Sequence, residues 1–141
     1  MIKLIIFDLD GVLADARELH YNALNKALRS FGEQFVIKKE QHLSTYDGLP
    51  TRKKIDILIK EKNFPEKETG ELCKRKQHYT SKIIEDSIGI DKKAIDILKR
   101  LKENGYAVCV ASNSIRQTVK MMLLKKGLIP YVDFYYSNED V

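Results

Sequence analysis

Two short apolar segments, far apart in the sequence, constrain the fold of this chain most strongly. Residues Lys3 to Phe7 and Tyr106 to Ala111 are rich in apolar, often β-branched residues, and each is bounded by polar or turn residues. Continuous apolar runs of this length are typical of strands buried in a parallel sheet. We therefore expect both segments to be central strands of one sheet.

A helix is predicted just before the second of these strands. Between Asp91 and Asn104, apolar residues recur at the spacing of one helical face: Ala94, Ile97, Leu98 and Leu101. The side chain of Asp91 can cap the start of this helix, and Gly105 can end it.

A second helix and a third strand are predicted after that strand. An apolar stripe, formed by Ile115, Val119, Met122 and Leu123, stops at Gly127. Ser114 and Gln117 have the spacing of a capping box, and Tyr131 to Tyr136 follows as a strand. Strands that alternate with helices imply right-handed crossovers and a parallel sheet, so the predicted class is α/β.

The long stretch between the first two strands predicts an inserted lobe. Residues 15–87 contain helical patterns of their own, and a structureless loop of that length is improbable in a compact domain. We predict a helical cap at 15–87, inserted into a core made of residues 1–14 and 88–141.

Two carboxylates follow directly after the first apolar strand. Asp8 and Asp10 fall at the carboxyl end of this strand, where open parallel sheets bind ligands, and residues two apart in an extended chain face the same side. Paired carboxylates suit Mg²⁺, and Gly11 permits a close approach of the backbone to a bound anion. A calcium loop is excluded because Leu13 and Leu19 occupy its glycine and glutamate positions. A plain solvated turn stays an alternative.

Composition limits the classes of partner. The net charge of +5 comes mostly from scattered lysines without a dense basic run, which disfavours nucleic acid and favours a small anionic substrate. No apolar run approaches the ~18 residues that a membrane span needs, and aspartates interrupt the N-terminus too early for a signal peptide. We expect a cytoplasmic protein without a membrane partner.

The motifs resemble those of the haloacid dehalogenase-like phosphohydrolases. Asp8-Leu9-Asp10-Gly11-Val12-Leu13, after an N-terminal apolar strand, is similar to the first motif of that family. The run from Val108 to Asn113, an apolar strand that ends in Ser-Asn, is similar to the second. With its insertion after the first motif, the chain resembles the helical-cap group of phosphoglycolate phosphatase and β-phosphoglucomutase.

The resemblance implies roles for the matched residues. Asp8 would be the nucleophile and Asp10 the general acid and base. An Asp8 oxygen and the backbone carbonyl of Asp10 would also hold Mg²⁺. The hydroxyl of Ser112 and the N–H groups of Leu9 and Asn113 would bind phosphoryl oxygens, with Gly11 beside them. The N-terminus of the following helix would add favourable partial charge. Ser114 and Gln117 would serve only as caps.

Residues 46–52 resemble the substrate-specificity loop of such caps. Gly48 and Pro50 would shape a turn, and Thr51, Arg52 or Lys53 could reach the distal part of a substrate. An interhelical loop with solvated basic side chains is the alternative.

The resemblance also implies further motifs, a lysine and a strand with acidic metal ligands, that do not appear before Val141. We therefore expect the chain to be part of a longer protein. The edge of the first strand, Leu4 to Phe7, would then be open to solvent and prone to self-association.

The predicted function is hydrolysis of a small phosphorylated metabolite through an aspartyl-phosphate. Transfer of the same phosphoryl group to a substrate hydroxyl, as in a sugar-phosphate mutase, is an alternative. A non-catalytic phosphate-binding fragment is the third hypothesis.

Overall fold

Three strands and six helices make up the computed structural model, which describes residues 1–141. In chain order they are β1 (Leu4–Asp8), α1 (Arg17–Arg29), α2 (Lys39–Gln41), α3 (Thr51–Lys62), α4 (Thr69–Ser87), α5 (Lys92–Glu103), β2 (Ala107–Ala111), α6 (Arg116–Lys125) and β3 (Phe134–Tyr136). Short 3-10 turns and one π-helical turn, His42–Tyr46, connect some of them. None of the helices combines the length and apolar character needed to cross a bilayer.

The strands form one parallel sheet in the order β1-β2-β3, which confirms the α/β prediction. Asp8 at the end of β1 lies opposite Ala111 at the end of β2, and Ala111 lies opposite Tyr136 at the end of β3. The carboxyl ends of all three strands therefore meet at the same edge of the sheet.

The chain divides into two compact units, residues 1–15 with 84–141, and residues 16–83. The division predicted from the sequence placed the boundaries after residues 14 and 87. That the second unit acts as a cap remains a prediction.

Strand β2 is the centre of the first unit. Val108 and Val110 are fully buried, whereas β1 lies at an edge and exposes Leu4 and Ile6 at 42% and 61%. The prediction that Lys3 to Phe7 is a central strand is therefore wrong, and the predicted apolar edge is observed. The helices of this unit contribute further fully buried side chains: Leu98, Val119, Met122 and Leu123.

The third strand is shorter than predicted. The third strand spans only Phe134–Tyr136, because Ile129–Tyr131 forms a 3-10 turn with Pro130 near its start. The side chain of Asp133 then accepts the N–H of Val108 at 2.7 Å, which ties the segment before β3 to β2.

The predicted capping box at α6 is wrong. The helix begins at Arg116 after Ile115, and no side chain from its N-cap position accepts a helical N–H. Ser114 lies one position too early, and its own N–H donates to the hydroxyl of Ser112 at 3.0 Å.

The second unit packs helices around an aromatic core. Phe64 makes edge contacts with Phe31 and Phe35 at centroid distances of 5.3 and 5.1 Å. The buried cluster consists of Leu24, Ala27, Leu28, Phe35, Ile37, Tyr46, Ile55, Leu58, Phe64 and Leu72. Buried Asn25 accepts the N–H of Ile37 and donates to its carbonyl, so these polar groups are paired.

Candidate active site

A tight turn follows β1 and carries the first motif. The N–H groups of Leu13 and Ala14 both donate to the carbonyl of Leu9, at 3.1 and 2.9 Å, and the N–H of Gly11 donates to the carbonyl of Ala14 at 2.7 Å. Gly11 has a φ of 83°, which glycine adopts without strain. The Leu9 side chain is completely buried and anchors the turn to the core.

The prediction that Asp8 and Asp10 lie in one extended strand is wrong, because Asp10 lies in this turn. Strand β1 ends at Asp8, which is exposed, and Asp10 forms an isolated bridge with Ala14. The alternation of an extended strand therefore does not continue through Asp10. Its position, half-buried, is set by the turn rather than by the pleat of the sheet.

The second motif lies at the adjacent strand end. Ser112 follows β2 directly, and its N–H donates to the carbonyl of Tyr136 at 3.0 Å, which extends the pairing with β3. Its hydroxyl oxygen accepts the N–H of Ser114 at 3.0 Å. A hydroxyl that accepts one hydrogen bond still has its proton to donate, so Ser112 can donate to an anion.

Two backbone N–H groups predicted to lie at the anion site already donate hydrogen bonds within the protein. The N–H of Leu9 donates to the carbonyl of Ala111 at 3.3 Å, since the β1-β2 pairing continues past Asp8, and the N–H of Gly11 closes its own turn. The roles predicted for these two amides are therefore not supported by this conformation. Asp8 ends β1, Ser112 directly follows β2, and Asp10 and Asn113 lie in the turns that come next. That these groups act together at one site stays a prediction.

Acidic residues after β3 also lie at this edge of the sheet. Glu139 accepts the backbone N–H of Arg116 at 2.7 Å, and Asp140 pairs with the Arg116 guanidinium. Hydrogen bonds from Ser137 and from Arg116 lower the pKa of Asp140 below its usual range. Hydrogen bonding to Asp140 raises the pKa of Arg116, so this ion pair stays charged at neutral pH.

The residues present fit a magnesium ion by the chemistry of their donors. Asp8 offers a hard carboxylate oxygen and Asp10 a hard backbone carbonyl oxygen, and no group of three or more His, Cys, Asp or Glu side chains forms a closed metal cage. Mg²⁺ is commonly held by one or two carboxylates together with waters and substrate phosphate. This open donor set suits that mode.

The predicted specificity residues lie in the second unit. Thr51 is the first residue of α3, and its hydroxyl accepts a hydrogen bond from the ammonium group of Lys76 at 3.0 Å. Arg52 follows it and is exposed. Their contact with a substrate stays a prediction.

Sequence reasoning missed two buried lysines near Thr51. Lys54, on α3, is 4% exposed and Lys76, on α4, is 8% exposed. A signal existed for Lys76, because the spacing Leu72, Lys76, Thr80 and Ile84 puts it on the buried stripe of an amphipathic helix. Glu139 was also missed, and no local pattern indicates a cap that comes from 23 positions away.

Comparison with known proteins identifies a family that this chain matches. The model of the family described as haloacid dehalogenase-like hydrolase matches residues 5–141. The chain is 26% identical over 142 residues to a Dickeya dadantii protein named "Probable phosphatase IndB" and covers 61% of that protein.

Two solved structures share the fold over the whole chain. CbbY from Rhodobacter sphaeroides, solved with phosphate, superposes with a TM-score of 0.85 at 19% identity, and the chain covers 65% of it. β-Phosphoglucomutase from Clostridium difficile gives a TM-score of 0.83 at 25% identity, with 64% covered. The chain thus spans less than two thirds of the length of each of these proteins.

Proposed function

The chain belongs to the haloacid dehalogenase-like hydrolases, and on this basis we propose that it provides the nucleophile of a phosphatase for small phosphorylated metabolites. The proposed reaction is magnesium-dependent and proceeds through an aspartyl-phosphate on Asp8. Family membership supports hydrolysis, and the substrate and mechanism are our proposal.

One structural observation carries this proposal. Asp8 and Ala111 are opposite residues at the ends of two hydrogen-bonded strands, so the turn with Asp10 and the turn with Ser112 begin side by side. A carboxylate nucleophile, a second carboxyl group and a hydroxyl donor therefore come from adjacent chain segments. These are the groups that phosphoryl transfer to a carboxylate requires.

In the first half-reaction, a carboxylate oxygen of Asp8 attacks phosphorus and the bond from phosphorus to the ester oxygen breaks. Asp10, in its protonated form, gives its proton to the departing alkoxide, which leaves as an alcohol. The hydroxyl of Ser112 and the N–H of Asn113 donate to the phosphoryl oxygens as charge builds on them.

In the second half-reaction, a water molecule attacks phosphorus of the aspartyl-phosphate. Asp10, now a carboxylate, accepts the proton of that water, and the bond between phosphorus and the Asp8 oxygen breaks. Inorganic phosphate leaves, and both aspartates return to their starting states. Asp10 thus acts first as a general acid and then as a general base.

Asp8 and Asp10 would also hold the metal ion. A bound Mg²⁺ supplies neutralising charge to the phosphoryl oxygens, which lets an anionic carboxylate approach an anionic phosphate. Of the groups in this chain, an Asp8 carboxylate oxygen and the backbone carbonyl of Asp10 are assigned to it, which leaves the Asp10 carboxyl group for proton transfer.

The test is release of inorganic phosphate from a panel of phosphate esters by the full chain with Mg²⁺. Asp8→Asn is expected to lower the rate by about 10³-fold or more, since it removes the nucleophile. Asp86→Asn is the matched control, because Asp86 is an exposed aspartate of the same unit outside the site. Full activity of Asp8→Asn, or activity indifferent to a chelator of Mg²⁺, would overturn the mechanism.

A sugar-phosphate mutase is the second candidate, favoured by the structural likeness to the Clostridium difficile β-phosphoglucomutase. The aspartyl-phosphate would then pass its phosphoryl group to a substrate hydroxyl instead of water. Isomerisation of a sugar phosphate without phosphate release would replace the phosphatase proposal by this one.

Non-catalytic phosphate binding is the third outcome of the same assay. Binding of inorganic phosphate that is unaffected by Mg²⁺, without turnover of any ester, would establish this function and exclude both enzymes.

A further inference from the structure

Helix α6 receives its N-terminal cap from a distant part of the chain. Ile115 precedes the helix and has no side-chain acceptor, so the first helical N–H, that of Arg116, would lack a partner. The carboxylate of Glu139 accepts this N–H at 2.7 Å from 23 positions along the chain. A negative charge at the first turn is also favourable for the helix dipole.

The turn that carries Glu139 is itself held by several hydrogen bonds. The hydroxyl of Ser137 accepts the N–H of Glu139 at 3.2 Å, and Asp140 accepts the N–H and the hydroxyl of Ser137 at 2.7 and 2.9 Å. Asp140 also binds the Arg116 guanidinium, which lies 5.3 Å from the centre of the Tyr135 ring. Glu139 therefore has a fixed position relative to α6.

The same turn holds the loop with the second motif. The N–H of Asn138 donates to the carbonyl of Ser114 at 3.0 Å. The N–H of Ser114 donates to the hydroxyl oxygen of Ser112, whose own N–H is paired with Tyr136. Residues 112–114 are thus attached on one side to β3 and the following turn, and on the other to the start of α6.

We infer that Glu139 is a positioning residue for phosphate binding. It fixes the start of α6 against the turn 137–140, and this fixes the Ser112 hydroxyl and the Asn113 N–H in the orientation that an anion needs. The inference rests on the function proposed above. Glu139 acts through Arg116 and the loop, without any contact to phosphate.

This arrangement also changes the expected source of anion stabilisation. The helix N-terminus after the second motif was expected to contribute partial positive charge to a phosphoryl group. Its first N–H is already occupied by a carboxylate of the protein. That N–H is therefore not available to a phosphoryl group, so the position of the Ser112 loop matters more for phosphate binding.

The test is NMR titration of the full chain with inorganic phosphate in the presence of Mg²⁺, together with the backbone amide signals of residues 112–114. Glu139→Ala removes the cap, and Glu139→Gln keeps a neutral acceptor of nearly the same shape. Glu103→Ala is the matched control, because it removes an exposed glutamate of the same unit. Circular dichroism and thermal unfolding report whether each variant is folded.

Glu139→Ala is expected to shift the amide signals of residues 112–114 and to weaken phosphate binding by about three- to tenfold, within the usual cost of a lost cap. Glu139→Gln should weaken phosphate binding less than Glu139→Ala does. Glu103→Ala should change neither the amide signals nor phosphate binding. If Glu139→Ala does not fold, the partial effect of Glu139→Gln carries the test.

Two negative results have different meanings. Phosphate binding that is unchanged in both Glu139 variants, while the wild-type chain binds phosphate, would overturn the positioning role. A wild-type chain that does not bind phosphate would overturn the proposed function. The amide signals of residues 112–114 would then decide whether Glu139 controls the loop: unchanged signals in the variants exclude it.

Discussion

Asp91 offers a sharp test of how the first unit is stabilised, because it makes two separable contacts. Its side chain accepts the N–H of Ala94 at 3.0 Å, which caps α5, and it pairs with the ammonium group of Lys126 at 3.0 Å. Asp91→Ala removes both contacts, Asp91→Asn keeps an acceptor for the cap, and Lys126→Met removes only the ion pair.

The magnitudes follow from the two contacts. A lost N-cap costs about 0.5–2 kcal/mol, and a partly exposed ion pair contributes about 0.2–1 kcal/mol. Asp91→Ala should therefore lower the free energy of unfolding by about 1–3 kcal/mol. Asp91→Asn and Lys126→Met should each cost only about 0.2–1 kcal/mol, since asparagine caps a helix as well as aspartate does.

Urea unfolding followed by circular dichroism measures these differences. With a slope of about 2 kcal/mol/M, Asp91→Ala should lower the urea midpoint by about 0.5–1.5 M. The double variant Asp91→Asn with Lys126→Met should cost less than the sum of the single variants, because both remove the same ion pair. Equal losses for Asp91→Asn and Asp91→Ala would refute the assignment of the cap.

The same site has a predicted pH dependence. The hydrogen bond from the Ala94 N–H, followed by that from Lys126, lowers the pKa of Asp91 in the folded chain. A lowered carboxyl pKa means that this stabilisation is fully present above the unfolded value of about 3.9 and disappears as pH falls through the folded value. The difference between wild type and Asp91→Asn should therefore shrink below about pH 4.

Three further predictions test other parts of the chain. Leu98→Ala, at a fully buried position of α5, should lower the free energy of unfolding by about 2–5 kcal/mol in urea titration, and a loss below 1 kcal/mol would show a loosely packed core. Burial, and then the charge of Lys54, lowers the pKa of His42, so the free energy of unfolding should fall as pH drops below about 6.5. His42→Phe can keep the edge contact with Tyr21 and should remove this pH dependence of thermal unfolding. If the exposed β1 edge causes self-association, Ile6→Lys should reduce the associated fraction in sedimentation velocity at high concentration, and an unchanged distribution would exclude that edge.

Local sequence was sufficient for the elements whose signals lie within a few residues. The apolar run before Asp8 and the run before Ser112 predicted β1 and β2. The reason, that a strand buried in a parallel sheet needs apolar side chains on both faces, holds fully for β2, which is buried on both faces, whereas β1 is a strand with an exposed apolar edge. The cap at Asp91 was predicted for the same reason: its acceptor and the Ala94 N–H are three positions apart.

The sequence also determined which strand ends lie side by side at the candidate site. Parallel pairing aligns strand ends, so any residues that directly follow β1 and β2 must be neighbours. This brings Asp8 and Ser112 to one edge of the sheet, whereas the position of Asp10 depends on the turn after β1.

Only the tertiary structure decided which hydrogen-bond partners the backbone N–H groups near those residues have. Ser114 and Gln117 have the spacing of a capping box, yet Glu139 takes the cap of α6 because β3 delivers it to Arg116 from 23 positions away. The Leu9 N–H is used by β2, since the hydrogen-bonded ladder extends one residue past the strand. A sequence pattern reports neighbours along one element, whereas these hydrogen bonds join elements whose approach depends on the packing of the whole sheet.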